Sequence, residues 1–181
     1  FSGQKFSINN QNYDDIVICC GAFSNHLVRQ LEGYYVPLET ERGYHLEFMG
    51  MQEFLSRPTS LIEAGMYLTP LHNSIRAAGT IELAGNKNKI NNSRLKFIEK
   101  YAKKLIPNLE DYQKTWLGFR PTLPDCLPVI SKSLKYDNAY YAFGHNHLGW
   151  TLGPVTGKII TNLINNKDEV NPALKIDRFF K

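Results

Sequence analysis

"YDDIVICCGAFSNHLVRQLEG", Tyr13–Gly33, is the stretch on which the fold turns. Ile16 to Cys20 form an unbroken apolar run, the pattern of a strand buried on both faces. Gly21 interrupts the run. Ser24 is placed to cap a helix whose apolar positions include Leu27, Val28 and Leu31, and Gly33 is placed to end it. Strand, tight turn and helix in that order make a corner of an α/β fold. Cys19 and Cys20, inside the apolar run, read as buried thiols and suit a reducing compartment.

Downstream the pattern changes. Between Val36 and Ala84, "GYHLEF", "TSLIEA", "MYLTPL" and "SIRAAGTIELA" are short β-rich stretches separated by Gly, Pro, Asn and Ser, the signature of a meandering, largely antiparallel sheet. "SRLKFIEKYAKKLIPN" then places Leu95, Ile98, Ala102 and Leu105 at helical spacing, with Ser93 as N-cap and Pro107 as stop. "DYQKTWLGFRP", "LPVI" and "NAYYAF" return as strands. A last helix is expected from Gly153 to Asn165, with Pro154 in its first turn and Val155, Ile159, Leu163 and Ile164 on its buried side. The fold class is thus a mix of α+β and α/β: an antiparallel-rich sheet with its helix, flanked by α/β pieces.

Two segments carry candidate chemistry. In "AFGHNHLGWTLGPVTGKII", Ala142–Ile160, a glycine-rich turn precedes a helix. Such a turn lets the backbone approach a ligand, and the helix behind it offers unpaired N–H groups and a positive dipole end, which together favour an anion. The alternative is that Gly144 and Gly149 serve only a tight turn. His145 and His147 lie two apart in a loop without a carboxylate or cysteine at ligand spacing, so no metal site is expected. In "GFRPTLPDCLP", Arg120 stands among apolar residues, either paired with a structural carboxylate such as Asp125 or open to grip an incoming one.

Bulk composition narrows the field. The 181 residues are 43% hydrophobic and 21% charged, an ordinary globular balance that argues against disorder. The net charge of +4 comes largely from Lys87, Lys89, Lys96, Lys100, Lys103 and Lys104, which read as a solvated helix face rather than a nucleic-acid patch. Three cysteines make neither a disulfide framework nor a zinc motif. No apolar run is long enough to span a bilayer, no secretory signal opens the chain, and Asn91-Asn92-Ser93 is a glycosylation sequon by pattern only. A chain that opens on Phe1, with a full strand-turn-helix a dozen residues in, reads as a piece of a longer protein.

Four segments taken in order, "DDIVICCGAFS", "VPLETERGYHLEF", "GFRPTLPDCLPVI" and "YYAFGHNHLGWTLGPVTGKIITNLI", resemble the C-terminal half of the FAD-dependent D-amino acid oxidase/dehydrogenase family, which includes glycine oxidases. The resemblance covers nearly the whole chain. It implies an enzyme that moves a hydride from the α-carbon of a small amino-acid substrate to flavin. It also implies three parts: 1–33 as a fragment of the FAD domain, 34–120 as the substrate-binding sheet, and 121–181 as the remainder of the FAD domain. Arg120 matches the arginine that holds the substrate carboxylate. Tyr67 and His45 are substrate-side residues by the same resemblance, though His45 also reads as a half-buried sheet histidine. Gly21 and Ala22 match the strand-end turn beside the dinucleotide. Gly144, His145, Leu148, Gly149, Trp150 and Thr151 match the loop over the flavin ring.

One departure matters. The family's GxGxxG turn, which cradles the pyrophosphate, does not occur in this sequence. The chain alone is therefore expected to hold FAD weakly or not at all, and to lack activity without an N-terminal half. Cys126 does not fall where some relatives attach flavin, so the cofactor is expected to be non-covalent. The partner is expected to be that N-terminal half or a second copy, because strand Ile16–Cys20 lacks its neighbours. The location is expected to be cytoplasmic, with peripheral membrane contact only if the acceptor is a quinone. Two further readings stay open: a non-catalytic remnant of the family, and the flavin domain of an enzyme that modifies a tRNA wobble uridine.

Overall fold

The computed structural model describes residues 5–87, 89–167 and 169–180. Along the chain it places strands β1 (Phe6–Ile8), β2 (Gln11–Tyr13) and β3 (Ile16–Ile18), helix α1 (Ser24–Glu32), then β4 (Glu39–Met49), β5 (Thr59–Leu61), β6 (Met66–Pro70) and β7 (Ser74–Leu83). Helix α2 (Asn92–Leu105), β8 (Lys114–Thr122), β9 (Val129–Lys132), β10 (Ala139–Phe143) and helix α3 (Gly149–Ile164) complete the order. This is a mixed α/β architecture, and it divides into two units: residues 1–40 with 120–181, and residues 41–119.

In the first unit β3 pairs with β10 in parallel, Val17 opposite Tyr140, and β10 pairs with β9 antiparallel. Two segments more than a hundred residues apart thus share one small sheet, as a crossover α/β fold requires. Ile18, Val28, Val36, Leu123, Val129, Tyr141 and Phe143 form its core. The strand expected over Ile16–Cys20 stops at Ile18 and is not buried on both faces. It is the edge of the three-stranded order β3-β10-β9, Val17 is 36% exposed, and Cys19 and Cys20 are exposed rather than buried. Ser24 is not the cap of α1. A 3-10 turn over Gly21–Phe23 runs straight into the helix, so the Ser24 amide donates to the Gly21 carbonyl. Its hydroxyl is left buried without a partner among the described residues. Gly33 does end α1, in a left-handed C-cap.

Glu32, in the last turn of α1, is a buried carboxylate held by donors rather than by a cation. Its Oε1 accepts from the Ser133 hydroxyl (2.5 Å), the Tyr141 hydroxyl (2.7 Å) and the Leu134 amide (3.0 Å). These bonds tie α1 to the β9–β10 turn and supply the pairing that a buried charge needs. Burial and the Glu32 carboxylate drive the Tyr141 phenol well above the usual range. A hairpin that the sequence reading did not anticipate precedes this sheet: β1 and β2 pair antiparallel through Asn9 and Asn10, both at positive φ, the conformation that a two-residue hairpin turn asks for.

The second unit is built on the five-stranded order β5-β6-β7-β4-β8, with antiparallel β5–β6, β6–β7 and β7–β4 pairs. Along β4 burial alternates strictly: Arg42, Tyr44, Leu46 and Phe48 face inward. Tyr44, Leu46 and Phe48, with Met66, Leu68, Ile75 and Ala77, form one core with Leu95, Ile98 and Ala102 of α2. The cap of α2 is Asn91, whose side chain accepts from the Ser93 amide, so Ser93 receives the cap rather than supplying it. Asn91 also donates to Glu82 (2.7 Å), which accepts from Tyr44 (2.5 Å) and faces Arg42 at 3.3 Å. One acidic side chain thereby joins β7, β4 and the start of α2. The Tyr44 and Asn91 hydrogen bonds hold its carboxyl below the ordinary glutamate range.

Helix α3 begins at Gly149, four residues earlier than Gly153, so Pro154 lies inside the helix rather than in its first turn. Its buried side is carried by Thr156 and Ile160, with Ile159, Leu163 and Ile164 packed beside them, whereas Val155 is 49% exposed. No helix among the described residues is long and apolar enough to cross a membrane.

Candidate functional site

In the first unit, β10 ends in the turn that leads into α3. Gly144 sits at φ +82, and a Cβ there would lie 2.5 Å from Leu123 Cδ1. Only glycine gives both the left-handed backbone and the clearance. Asn146 takes a second positive φ, and its amide donates to the Pro121 carbonyl, which pins the loop to β8. Leu148 occupies the N-cap of α3 with no side-chain cap bond, and no acidic residue lies in the first turn. Gly149, Trp150 and Thr151, expected in the loop, form that first turn, and Trp150 is 98% exposed. The turn therefore presents backbone donors and the positive end of a sixteen-residue helix to whatever approaches.

His145 is half-buried, with Nε2 2.9 Å from the Thr156 hydroxyl, and burial lowers its pKa. That contact fastens the loop to the second turn of α3 and beyond, while His147 is exposed. Among the described residues no group of three or more His, Cys, Asp or Glu side chains converges as metal ligands would. A groove of about 360 Å³ runs beside the loop, lined by Val17, Cys19, His145, Gly149, Gly153 and Gly157. Gly21, at φ +54, and the buried Ala22 follow directly on β3 in the same unit.

Arg120 lies in β8 and is half-buried. Asp125, the carboxylate named as its structural partner, is engaged by Arg178, Nε to Oδ2 at 2.7 Å and Nη2 to Oδ1 at 3.4 Å. Arg178 was not visible as a partner because 53 residues separate the two.

In the second unit, the sheet face opposite α2 gathers the other candidates. Register places His45 opposite Ala78 and Ala78 opposite Tyr67, with Glu47 opposite Arg76 and Arg76 opposite Thr69. Tyr67 is 62% exposed. His45 stacks on Trp116, with ring centroids 4.9 Å apart at 13°, and Trp116 in turn lies over Gly118, where a Cβ would be 1.9 Å from the indole. Burial, with Arg76 near, lowers the His45 pKa and favours the neutral ring. Arg76, Glu47 and Trp116 were not singled out from sequence. Their signal is the strand alternation of β4, β7 and β8, which becomes readable once the pairing register is known.

Comparison with known proteins places this architecture among the FAD-dependent oxidoreductases. The profile of the family described as FAD dependent oxidoreductase matches residues 2–163, and the chain belongs to that family. It is 32% identical over 164 residues to a D-amino-acid oxidase of Bradyrhizobium diazoefficiens, covering 88% of this chain and 39% of that protein. It is 33% identical over 171 residues to a D-amino acid dehydrogenase of Vibrio cholerae, covering 92% and 40%. Among solved structures, glycine oxidase from Geobacillus kaustophilus superposes with a TM-score of 0.78 at 19% identity, covering 94% of this chain and 47% of that one. The L-proline dehydrogenase from P. horikoshii does so at 0.75 and 21%, covering 93% and 47%. The chain spans about two fifths of the length of the curated relatives it matches.

The residues present fit part of an FAD site. An uncapped helix start free of acidic residues suits a ring edge that gains negative charge on reduction. The donor set for a pyrophosphate, a GxGxxG turn, is not in this sequence.

Proposed function

We propose that this chain supplies the substrate-covering sheet and the ring-facing loop of an FAD-dependent enzyme that oxidises the Cα–N bond of a small amino acid, a D-amino acid or glycine. The observation that carries the reading is the Gly144–Thr151 turn, with its forced glycine and uncapped helix start, in a chain about one third identical to D-amino-acid oxidising relatives. FAD, when bound, accepts the hydride released from the α-carbon.

The chain's own residues bind and orient. Arg120 holds the α-carboxylate through two charge-assisted hydrogen bonds, which fixes the direction of the α-hydrogen. Tyr67 and His45 present a hydroxyl and a neutral imidazole from the open sheet face. The amides of Gly149, Trp150 and Thr151 face the ring side, and His145, braced by Thr156, keeps that loop in place. The cofactor is non-covalent and needs further residues for its pyrophosphate, so the isolated chain is inactive. The outer edge of β3 takes a further strand, from the remaining length of such an enzyme or from a second copy.

The test is turnover by the full-length polypeptide. A panel of D- and L-amino acids and glycine is supplied with an artificial electron acceptor, and release of keto acid and ammonia is measured. Oxidation of D-amino acids or glycine is expected. No product from any member of the panel, in protein that carries FAD, refutes the reading.

A further inference from the structure

On the open face of the second unit's sheet, Arg76 and Glu47 stand directly opposite each other on β7 and β4, and neither is fully used. Arg76 reaches Glu47 Oε1 only through Nη2, at 3.5 Å, while its Nε is buried without a hydrogen bond. Glu47 uses the same oxygen toward His45 Nε2 at 3.6 Å, and among the described residues Oε2 accepts from nothing. Both contacts are longer than a good charge-assisted bond, so a guanidinium with donors to spare lies beside a carboxylate with an acceptor to spare. Glu47 is 16% exposed and Arg76 43%, which leaves the pair reachable but partly desolvated. Half-met polar groups in such a place are costly unless a ligand completes them.

We propose that Arg76 and Glu47 form a side-chain subsite for a substrate amino acid bearing a carboxamide. The inference rests on the amino-acid reading above, because it takes Tyr67, one strand pair away on the same face, as a substrate-side residue. The pair carries one positive and one negative charge, so its net charge is zero. A carboxylate side chain would meet Glu47, and an ammonium would meet Arg76; neither finds a net countercharge. A carboxamide meets both, its oxygen accepting from the guanidinium and its NH2 donating to Glu47 Oε2. The His45 ring, stacked on Trp116, lies beside the pair, its Nε2 3.6 Å from Glu47 Oε1. Burial keeps that ring neutral, which preserves the balance of charge.

The experiment has two readouts on the full-length protein. In the first, kcat/KM is measured for glutamine, glutamate and alanine of whichever configuration is oxidised. Glutamine is expected to exceed glutamate by at least about tenfold, and Arg76→Met is expected to lower the glutamine-to-alanine ratio by about 30-fold, the size of one lost hydrogen bond to a charged group. Glu47→Gln, a change that keeps the shape, should lower the same ratio and guards against a misfolded Arg76 variant. In the second, the indole N–H signal of Trp116 is followed by NMR as butyramide is added, with butyrate as control. Butyramide should shift it in the wild type and not in Arg76→Met. If no amino acid is oxidised but butyramide still moves the signal in an Arg76-dependent way, the subsite holds and the enzymatic reading falls. Glutamate preferred over glutamine, unchanged ratios, or no butyramide shift would overturn the subsite.

Discussion

At the residue scale, Arg120 and Gly144 carry the sharpest consequences. A planar guanidinium gives two parallel bonds to a carboxylate, which a lysine cannot reproduce. Under the proposed role, in which Arg120 holds the substrate carboxylate of a full-length enzyme, Arg120→Lys should cost about 2–4 kcal/mol of transition-state stabilisation, roughly 30- to 1000-fold in kcat/KM. Melting temperature is recorded on the same samples, and kcat/KM should fall by far more than any loss of folded protein accounts for. A parallel fall of melting temperature and activity would make Arg120 a structural residue instead. For Gly144, alanine adds strain at φ +82 and a methyl 2.5 Å from Leu123. Strain and overpacking together predict a loss of about 2–4 kcal/mol in denaturant unfolding. An unaltered midpoint would mean that Leu123 and the loop yield freely.

At the element scale, Glu82 links two strands and a helix start, and its pH behaviour follows from its hydrogen bonds. Its carboxyl is held below the ordinary range in the folded state. The stability it contributes is present above the unfolded-state value, near 4.3 for a free glutamate, and is lost as pH falls through the folded value. Unfolding free energy should thus drop on acidification below about pH 5, and Glu82→Gln should flatten that slope while lowering stability at neutral pH. Equal slopes in the two proteins would remove Glu82 from the acid response.

What the sequence disclosed also sorts by element. The antiparallel sheet, α2 with its Leu95, Ile98 and Ala102 stripe, and the glycine turn before α3 were legible because periodicity and Gly/Pro punctuation are local signals. Helix starts were not. Ser24 and Ser93 have the right chemistry for caps, but a preceding 3-10 turn and the neighbouring Asn91 took those positions. Nor was the burial of Ile16–Ile18, since an apolar run does not say whether a strand is central or at an edge. Of the candidate residues, those around Gly144 were picked out by such a local glycine signal. Arg76, Glu47 and the Asp125–Arg178 pair depend on register or on distant partners.

For the whole molecule, the two expectations are association and a weak hold on cofactor. Among the described residues strand β3 keeps one unpaired edge with Val17 exposed, beside a groove lined by Gly149, Gly153 and Gly157. Such an edge invites another strand, so the 181-residue chain should sediment as an oligomer at micromolar concentration, or as a heterodimer when the proposed N-terminal FAD-binding half is added. A clean monomer under both conditions would contradict this. The chain alone should purify nearly colourless. A pyrophosphate cradle of several hydrogen bonds, each contributing on the order of 1 kcal/mol, is missing, which removes several decades of affinity. Stoichiometric FAD bound to the isolated chain would show that the loop and α3 suffice.

The most direct measurement of the central claim is anaerobic mixing of the full-length, FAD-loaded protein with the best D-amino acid, in ordinary form and with deuterium at the α-carbon, while the visible flavin band is followed. The account predicts rapid bleaching that deuteration slows several-fold, because the α-hydrogen oriented by Arg120 is the one transferred. A flavin band that stays unbleached by D-amino acids and glycine alike would contradict it.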